Sequence, residues 1–276
     1  EQTFSHAYKV HPYRWIPIGS AQYIDRAKDA EFREFYKTFY VPNNACLVIA
    51  GDIDIDKTKS LVMKYYGDVP KGASVIYRPT EVEPKKTAEV RDTVYDNIQL
   101  PAVIQAYHMP AQGTKDYYAL KMLTTLLSSG QSSRLNKRLV DKEKIAVQIT
   151  TFPFELENPS LFLFYAIVQF CKLPNDVERA IDEEITKASA DLISDKEFQK
   201  LSVQTETEFI NKNASVIGKA IGLGNYYVFF GDANLMNSEI DKYRAVTKED
   251  IRRIAKEYLA KENRVVLYYL PKAKPQ

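Results

Sequence analysis

Histidine, cysteine and long apolar runs are all scarce in this sequence. Its 276 residues include three histidines and two cysteines, Cys46 and Cys171. Both cysteines lie in apolar, strand-like runs, so we expect buried free thiols, which say nothing about the redox compartment. No apolar run approaches the roughly 20 residues that a transmembrane helix requires, so we expect no membrane span.

Neither sign of charge is in excess. Lys and Arg number 38 against 36 for Asp and Glu, a net charge of +2, and the two signs are interspersed. Without a basic stripe, or basic residues interleaved with aromatic ones, nucleic acid is not an expected partner. The apolar share of 45% and the charged share of 27% are ordinary for a globular protein. At this length we expect one large domain or two smaller ones.

One stretch in the middle of the chain organises the prediction of the fold. Apolar residues alternate with others over Leu100–Tyr107, the period of a strand with one buried face. Over Asp116–Leu127 they recur every three or four residues, as on one face of a helix. Gly130 ends that helix, and Ser132 or Ser133 can cap a second one. Strand, turn, helix and helix form the opening of an α+β domain.

The other segments alternate between helix and strand patterns. Further helices are predicted at 25–40, 56–66, 175–192, 194–229 and 247–259. Buried strands are predicted at Ala45–Ala50, Ala146–Phe154, Ser160–Phe170 and Val265–Leu270. Capping-box patterns begin two of the helices, at Ser194–Glu197 and Thr247–Asp250, and three glycines should kink the long helix. Residues 1–24 show no regular pattern.

A helix, an Asn-containing turn and a buried strand occur twice, 219 residues apart. The shift places Phe32 on Ile251 and aligns residues 46–49 with 265–268. Coincidence between two ordinary helix–strand units is the alternative. If the repeat is real, about 150 residues of the same domain precede the second copy, and only about 26 precede the first. We therefore expect the chain to begin in the middle of its first domain.

A change of composition separates the two copies. Pro79, Pro84 and the polar run 81–91 are typical of an extended linker. We therefore predict three segments: residues 1–78 as the end of a first domain, 79–97 as a linker, and 98–276 as a second, complete domain.

Seven short motifs occur in a fixed order along the whole chain. They are His11-Pro-Tyr13, Ile18-Gly-Ser20, Tyr40-Val-Pro-Asn-Asn-Ala45, Ala50-Gly-Asp52, Val69-Pro-Lys-Gly72, Ala106-Tyr-His-Met-Pro110 and Gly130-Gln-Ser-Ser-Arg-Leu135. Together they resemble the zinc peptidases of the insulinase/pitrilysin type, above all the processing-peptidase-like bacterial members. The first five are similar to the second half of that family's metal-binding domain. The last two are similar to the start of its non-metal domain.

The resemblance implies two-layer α+β sandwich domains, each a mixed or antiparallel sheet covered by helices. Residues 1–78 would supply one such domain in part, and 98–276 would supply a complete one. In this family, two or four domains enclose a chamber that holds a peptide. The resemblance also implies catalysis by an inverted His-x-x-Glu-His motif and a downstream Glu. The two His and the downstream Glu bind zinc, and the Glu of the motif acts as general base.

That motif is absent from this sequence. His6 and His11 are five residues apart with no Glu in register, and His108 ends a predicted strand. Packing roles are the simpler interpretation of His11 and His108. We therefore predict no catalytic residue, no metal ligand and no cofactor in this chain. Zinc is expected in a missing N-terminal part of the parent protein, which would be a zinc metalloendopeptidase.

Two further kinds of site were considered in the sequence: an Arg–Tyr pair that binds the substrate backbone, and a nucleophilic serine. Family members without the metal motif often carry an Arg–Tyr pair that holds the substrate backbone. Tyr165 lies in the corresponding strand without an Arg nearby, so the substrate-binding residues are unknown. Ser132-Ser133-Arg134 has no base in a legible motif, and helix capping is the simpler interpretation of these residues.

Two functions remain open. In the first, the chain belongs to a zinc-dependent peptidase, forms the non-catalytic half of its peptide-binding chamber and offers a sheet edge to an extended peptide substrate. In the alternative, it is a non-catalytic structural or assembly subunit of the same fold. Either could form a homo- or heterodimer with another peptidase-family chain. A bacterial periplasm or envelope would suit the relatives that this sequence resembles. An intact zinc motif in the parent protein would favour the first function.

Overall fold

The computed structural model of the chain describes residues 1–73 and 75–272. Its α-helices are α1 (Gln2–Ala7), α2 (Ala21–Ile24), α3 (Asp29–Phe39), α4 (Ile55–Tyr66), α5 (Lys115–Ser128), α6 (Pro174–Ala190), α7 (Asp195–Ala214), α8 (Val216–Phe230), α9 (Leu235–Arg244) and α10 (Lys248–Tyr258). Its strands are β1 (Val90–Asp96), β2 (Ala102–Met109), β3 (Ala146–Pro153), β4 (Ser160–Val168) and β5 (Arg264–Pro271). A π-helix spans Asn136–Lys142.

The chain forms two compact units, each built from separate stretches of sequence. The first, here called the sheet unit, comprises Glu1–Trp15, Glu81–Thr207 and the chain from Ile240 on. The second, here called the helical unit, comprises Ile16–Thr80 and Glu208–Glu239. These units differ from the predicted segments, since residues 1–15 group with the later strands and 208–239 with the early helices. The assignment of residues 1–78 to part of a metal-type domain stays a prediction.

The strands form one mixed sheet in the order β1-β5-β2-β4-β3. β1 runs parallel to β5, and the other neighbouring strands are antiparallel. This is the α+β architecture that the sequence predicts, and a mixed sheet is one of the two kinds that the resemblance implies. The strand β1 lies within the segment predicted as a linker. Its sequence alternates weakly because only Val90 and Val94 are partly buried, and charged residues fill most other positions.

Helices α5, α6 and α10 cover one face of this sheet. The start of α10 is fixed by the predicted capping box: Thr247 Oγ1 accepts from the Asp250 N–H at 3.0 Å, and Asp250 Oδ2 accepts from the Thr247 N–H at 3.1 Å. From there Ile251 and Ile254 point into the core and are fully buried. Each such aliphatic side chain contributes about 1.5–3 kcal/mol when it leaves water. The helix face of the sheet is thus the main core of the protein.

Helix α1 covers part of the opposite face. Ala7 and Tyr8 are buried there against Ala106, Leu163 and Val265. The sequence predicts one buried face for β2, but β2 is buried on both faces where α1 lies over it. The second buried face was not predicted because α1 itself was not. Residues 1–24 show no helical period, and α1 is only six residues long.

The helical unit leaves one prediction unfulfilled. The segment Ala45–Ala50, predicted as a buried strand, has no strand structure, and Leu47 is 62% exposed. A strand requires backbone partners, and none of the described strands pairs with this segment. The expectation of a buried thiol is wrong at Cys46, because this residue lies in the segment that forms no strand and is exposed. It is also wrong at Cys171, which lies exposed in a left-handed turn (φ 58°) after β4.

One predicted helix is divided into two, and one predicted capping box is incomplete. The long run 194–229 is divided at Ser215, whose Oγ accepts from the Gly218 N–H at 3.0 Å and so begins a new helix, α8. The predicted cap at Ser194 is present, because its Oγ accepts from the Glu197 N–H at 3.2 Å. The Glu197 carboxylate, however, does not reach back to the cap. It forms two hydrogen bonds with Arg134.

Candidate functional site

The histidines lie around α1. His6 Nε2 lies 3.0 Å from Asp92 Oδ2 on β1, and its Nδ1 lies 2.7 Å from the carbonyl oxygen of Gln2. The N–H of Thr93 and the His6 ring hold the pKa of Asp92 below its usual range. His6 therefore ties α1 to the edge of the sheet.

His11 and His108 each have a structural partner. The N–H of Tyr13 donates to His11 Nδ1 at 3.1 Å, so His11 caps a short 3₁₀ helix. His108 Nε2 lies 2.9 Å from the carbonyl oxygen of Ala7. Burial lowers the pKa of His108, which favours its neutral form. Both side chains thus help to hold the N-terminal segment on the sheet.

The donors around these histidines do not fit a zinc site. The carboxylate of Glu83 accepts the backbone N–H groups of Lys9, Val10 and His11 at 2.8–2.9 Å. Burial alone would raise the pKa of Glu83, but the three N–H groups hold it below its usual range. Within residues 1–73 and 75–272, no three His, Cys, Asp or Glu side chains are grouped so as to hold a metal ion.

The Ser-Ser-Arg segment has packing and capping contacts. Ser133 Oγ donates to the Gly130 carbonyl at 2.7 Å, and Lys200 Nζ donates to Ser132 Oγ at 2.6 Å. Neither hydroxyl has a histidine partner among its described contacts. Arg134 is bound by Glu197, as noted above. These contacts favour the capping interpretation over a nucleophile.

A cavity of about 610 Å³ lies beside the π-helix, and basic side chains supply much of its lining. Arg138 donates to Glu143 at 2.6 Å and to Glu184 at 3.1 Å. Arg134, also in the lining, is held by Glu197 at 2.6 Å. An anionic ligand would have to displace these carboxylates, so the cavity is a poor anion site.

A buried ion network joins the sheet to α6. Arg264, only 2% exposed, donates to Glu89 and Asp182 at 2.5 Å and to Glu178 at 3.1 Å. Burial alone would raise the pKa of Glu178, but hydrogen bonds, first of all from Arg91, hold it below its usual range. Removing one partner of such a buried ion pair lowers the free energy of unfolding by about 3–5 kcal/mol. The network anchors the sheet and leaves little hydrogen-bonding capacity for a ligand.

Helix α1 covers only part of the sheet face that lies opposite α5, α6 and α10. The rest of this face, here called the open face, contains a cavity of about 470 Å³. Its apolar lining includes Ala102, Ile104 and Ile167, and the rings of Tyr165 and Tyr269 flank them. The strand register explains this grouping, because Ile104 is opposite Tyr165, and Ala102 is opposite both Ile167 and Tyr269. Partly exposed apolar and aromatic groups around a concave space suit a peptide or small apolar ligand.

The two edge strands are partly closed to another strand. The N–H of Thr151 on β3 donates to Ser128 Oγ at 2.7 Å, and Pro153 has no N–H. On β1, the N–H of Thr93 donates to Asp92 Oδ1 at 2.7 Å. Each edge therefore has a central donor already occupied by a side-chain oxygen, a known way to protect sheet edges. The open face, rather than either edge, is the better candidate site.

The sequence leaves the substrate-binding residues unknown. Tyr165 is singled out there only as one half of an Arg–Tyr pair, and among the described residues no Arg lines the cavity. Ile104, Ile167 and Tyr269 were assigned to strands but not to a site. Alternation could have placed each on a strand face, but the strand order that makes them neighbours is not a local property.

Comparisons with known proteins agree with the fold. The family model of the peptidase M16 inactive domain matches residues 28–202. The zinc protease PqqE of Helicobacter pylori is 29% identical over 274 residues, which cover 97% of this chain and 61% of that protein. This chain therefore spans about three fifths of the length of that relative.

Solved structures extend the likeness to three dimensions. A crystal structure of a protease from Helicobacter pylori superposes with a TM-score of 0.92 and 27% identity, over 97% of this chain and 65% of that one. A chain in the structure of complex III2 from Candida albicans superposes with a TM-score of 0.79 and 16% identity, over 96% of this chain and 64% of that one. At this low identity, the second likeness concerns the fold alone.

Proposed function

This chain belongs to the peptidase M16 family, whose inactive domain it matches, and from that premise we propose that its sheet unit holds a peptide for a zinc site carried elsewhere in a longer protein. The observation that carries this proposal is the open cavity with Ile104, Tyr165, Ile167 and Tyr269 in its lining. In this role, the chain supplies the non-catalytic half of a peptide-binding chamber. Its task is to bind and orient the peptide, while the zinc site polarises the bond to be cleaved.

The open face suits this task better than the sheet edges. Strand addition draws on free backbone N–H groups in the edge strand. Side-chain oxygens already occupy the N–H groups of Thr93 and Thr151. A peptide on the open face would instead bury its side chains against the tyrosine rings and the isoleucines. Aromatic side chains offer large contact areas with little loss of conformational entropy.

We also infer that a further segment completes the helical unit. Large apolar side chains that are more than half exposed there include Ile18, Tyr23, Phe32, Phe35, Tyr36 and Leu47. Three of them, Phe32, Phe35 and Tyr36, lie on α3 at spacings of three and four residues, and large exposed apolar patches often mark an interaction surface. A segment that pairs with residues 45–50 and covers these rings would bury them. Such a segment is the natural place for the zinc motif.

The binding role is tested with unstructured, terminally blocked decapeptides that carry a fluorescent label. Their anisotropy should rise saturably with the concentration of the chain. Ile167→Asp, in the cavity, should weaken binding about tenfold because it replaces an apolar contact with a charge. Val203→Asp is the matched control, since Val203 is 59% exposed on α7, remote in sequence from the cavity strands. Absence of saturable binding, or an equal loss in both variants, would refute the proposed role.

The metal prediction is tested separately. We expect the purified chain to bind no stoichiometric zinc and to cleave no peptide, because its histidines are held by structural partners. Metal analysis that finds about one tightly held zinc per chain, lost in His11→Ala, would overturn this expectation.

The alternative of a structural or assembly subunit stays a prediction. Such a subunit would have no use for a peptide, so its open face should bind another folded chain or nothing. The decapeptide experiment therefore separates the two functions. Failure to bind peptides, together with a stable complex with another peptidase-family chain, would favour the alternative.

A further inference from the structure

A carboxylate between the two units of sequence holds separate segments of the sheet unit side by side. Both oxygens of Glu83 are engaged by backbone N–H groups of residues 9–11, at 2.8–2.9 Å. Residues 9–15 and 81–86, which both belong to the sheet unit, therefore share one region of the surface. These two segments are here called the basic corner.

Basic side chains outnumber acidic ones in the basic corner. It contains Lys9, Arg14, Lys85 and Lys86 against Glu81 and Glu83. Burial first, and then the charge of Lys9, lower the pKa of Lys86, which shows that the two ammonium groups repel each other. No carboxylate among the described residues forms an ion pair with either lysine. The corner therefore has positive charge that the chain itself leaves without a close partner.

Exposed apolar side chains lie among these charges. Trp15, the only tryptophan of the chain, is 64% exposed. The Arg14 guanidinium lies 4.9 Å from the centre of its ring. Val10 and Val82 are also exposed. An indole ring and aliphatic groups among Lys and Arg side chains are typical of protein surfaces that lie in the headgroup region of a bilayer.

We propose that the basic corner binds the surface of a membrane that contains anionic lipids. This inference goes beyond the proposed function and does not depend on it. The phosphate of a lipid headgroup beside Lys9 and Lys86 relieves the repulsion between their ammonium groups. The Trp15 ring enters the boundary between headgroups and acyl chains, where its N–H keeps a polar partner.

The apolar side chains favour a lipid surface over other anionic partners. A nucleic acid satisfies basic groups and stacks on an indole ring, but it buries little of an aliphatic side chain such as Val10 or Val82. A lipid surface satisfies all three kinds of group at once. An acidic peptide is the remaining alternative, and the experiment below includes one.

The fluorescence of Trp15 measures binding at the basic corner directly, because the chain has no other tryptophan. Vesicles of phosphatidylcholine alone are compared with vesicles of an equimolar mixture of phosphatidylcholine and phosphatidylglycerol. With the anionic vesicles, the emission should shift to shorter wavelength and quenching by acrylamide should fall, since the ring leaves water. With the neutral vesicles, neither should change. Added salt should reverse the shift, because the attraction is electrostatic.

A matched pair of lysines tests the charge. Lys9→Gln should lower the partition coefficient on anionic vesicles about fivefold, the effect of one basic residue near such a surface. It leaves the backbone N–H that Glu83 accepts, so the corner should keep its structure. Lys196→Gln, an exposed lysine on α7, is the control and should change nothing.

A matched pair of aromatic residues tests the apolar contact, with co-sedimentation as the readout. Trp15→Ser should weaken binding to anionic vesicles about tenfold. Phe170→Ser, at an exposed aromatic residue in the turn after β4, should leave it unchanged. Equal losses in the two variants would refute the inference.

Three further outcomes would overturn it: no shift of the Trp15 emission, an equal shift with neutral vesicles, or equal losses in Lys9→Gln and Lys196→Gln. A blocked glutamate peptide that shifts the emission when anionic vesicles do not would assign the corner to an acidic protein instead. The anisotropy of the labelled decapeptides should be the same with Lys9→Gln as with the unchanged chain. Failure of membrane binding and failure of the proposed function are therefore separate results.

Discussion

The helix–strand unit that occurs twice in the sequence adopts two different structures. In the second copy, Val266 and Leu267 on β5 are fully buried between β1 and β2. In the first copy, Leu47 and Ile49 are 62% and 44% exposed, and their segment forms no strand. The apolar pattern is the same, so the difference comes from the neighbours. β5 has partner strands on both sides, and the described chain offers none to residues 45–50.

The helices of the two copies form in both places. The cap of α10, Thr247 with Asp250, has its counterpart 219 residues earlier, where the Lys28 N–H donates to Glu31 Oε2 at 2.7 Å. α10 buries its apolar face, whereas α3 exposes more than half of Phe32. A helix closes its backbone hydrogen bonds within itself, but a strand depends on another segment. Helix α3 therefore forms although its apolar face is exposed, whereas residues 45–50 form no strand.

Hydrogen exchange should give the largest difference between the copies. The amide hydrogens of 265–270 should exchange only when the whole sheet unit unfolds. For a stable domain, unfolding requires about 5–15 kcal/mol. The amides of 45–50 should exchange at least about a thousandfold faster, because no strand protects them. The measurement requires a dilute sample shown to be monomeric, since association could cover the apolar segment.

Equal protection of 45–50 and 265–270 in that monomer would mean that the helical unit is complete as it stands. The proposal that a further segment covers it would then fail. A sharper form of the experiment adds a longer protein that includes such a segment. Protection of 45–50 should rise in it, while that of 265–270 should stay the same.

A matched pair of substitutions should give the next largest difference. Leu267→Ala removes a fully buried side chain and should lower the free energy of unfolding by about 2–5 kcal/mol. Leu47→Ala changes an exposed side chain and should alter it by no more than about 0.5 kcal/mol. Urea unfolding followed by circular dichroism measures both. A cost above about 2 kcal/mol for Leu47→Ala would show that this residue is buried in solution.

Much of this fold follows from local patterns. The strands β2 to β5 and the helices α4, α5, α6 and α10 lie within a few residues of their predicted bounds, because each has a clear period or cap. β1 was missed, since charged residues such as Arg91 and Asp92 hide its alternation. α1 was missed because it is too short to show a period. Both elements are stabilised by tertiary contacts, and their own sequences show no clear pattern of strand or helix.

The candidate site was harder to predict than the fold. Tyr165, Ile104 and Tyr269 are far apart in sequence and become neighbours only through the strand order. The openness of the face depends on where α1 ends on the sheet, which no local pattern encodes. The absence of a zinc motif, in contrast, is a property of sequence spacing alone. The lack of the motif can therefore be read directly from the sequence, whereas the position of a binding surface cannot.

The smallest difference between the two copies should be in how much their helix caps contribute to the free energy of unfolding. This difference should depend on pH. Burial alone would raise the pKa of Asp250, but hydrogen bonds from Lys115 and Thr247 lower it to about 2. In the unfolded chain it should be near the usual value of about 3.9. A carboxyl group with a lower pKa in the folded state stabilises the fold above the unfolded pKa. That contribution is lost as the pH falls from about 4 towards 2.

Asp250→Asn should therefore lower the free energy of unfolding by about 1–2 kcal/mol at pH 7, and the loss should vanish near pH 2. Glu31→Gln is the counterpart in the exposed copy, where the helix packs less, and should cost no more than about 0.5 kcal/mol at pH 7. Urea unfolding at a series of pH values from 2 to 7 measures both effects. If the two substitutions cost the same, or if the loss in Asp250→Asn persists at pH 2, the cap of α10 owes its stability to something other than this carboxylate. The contrast between a helix start supported by packing and one that stands alone would then not extend to their caps.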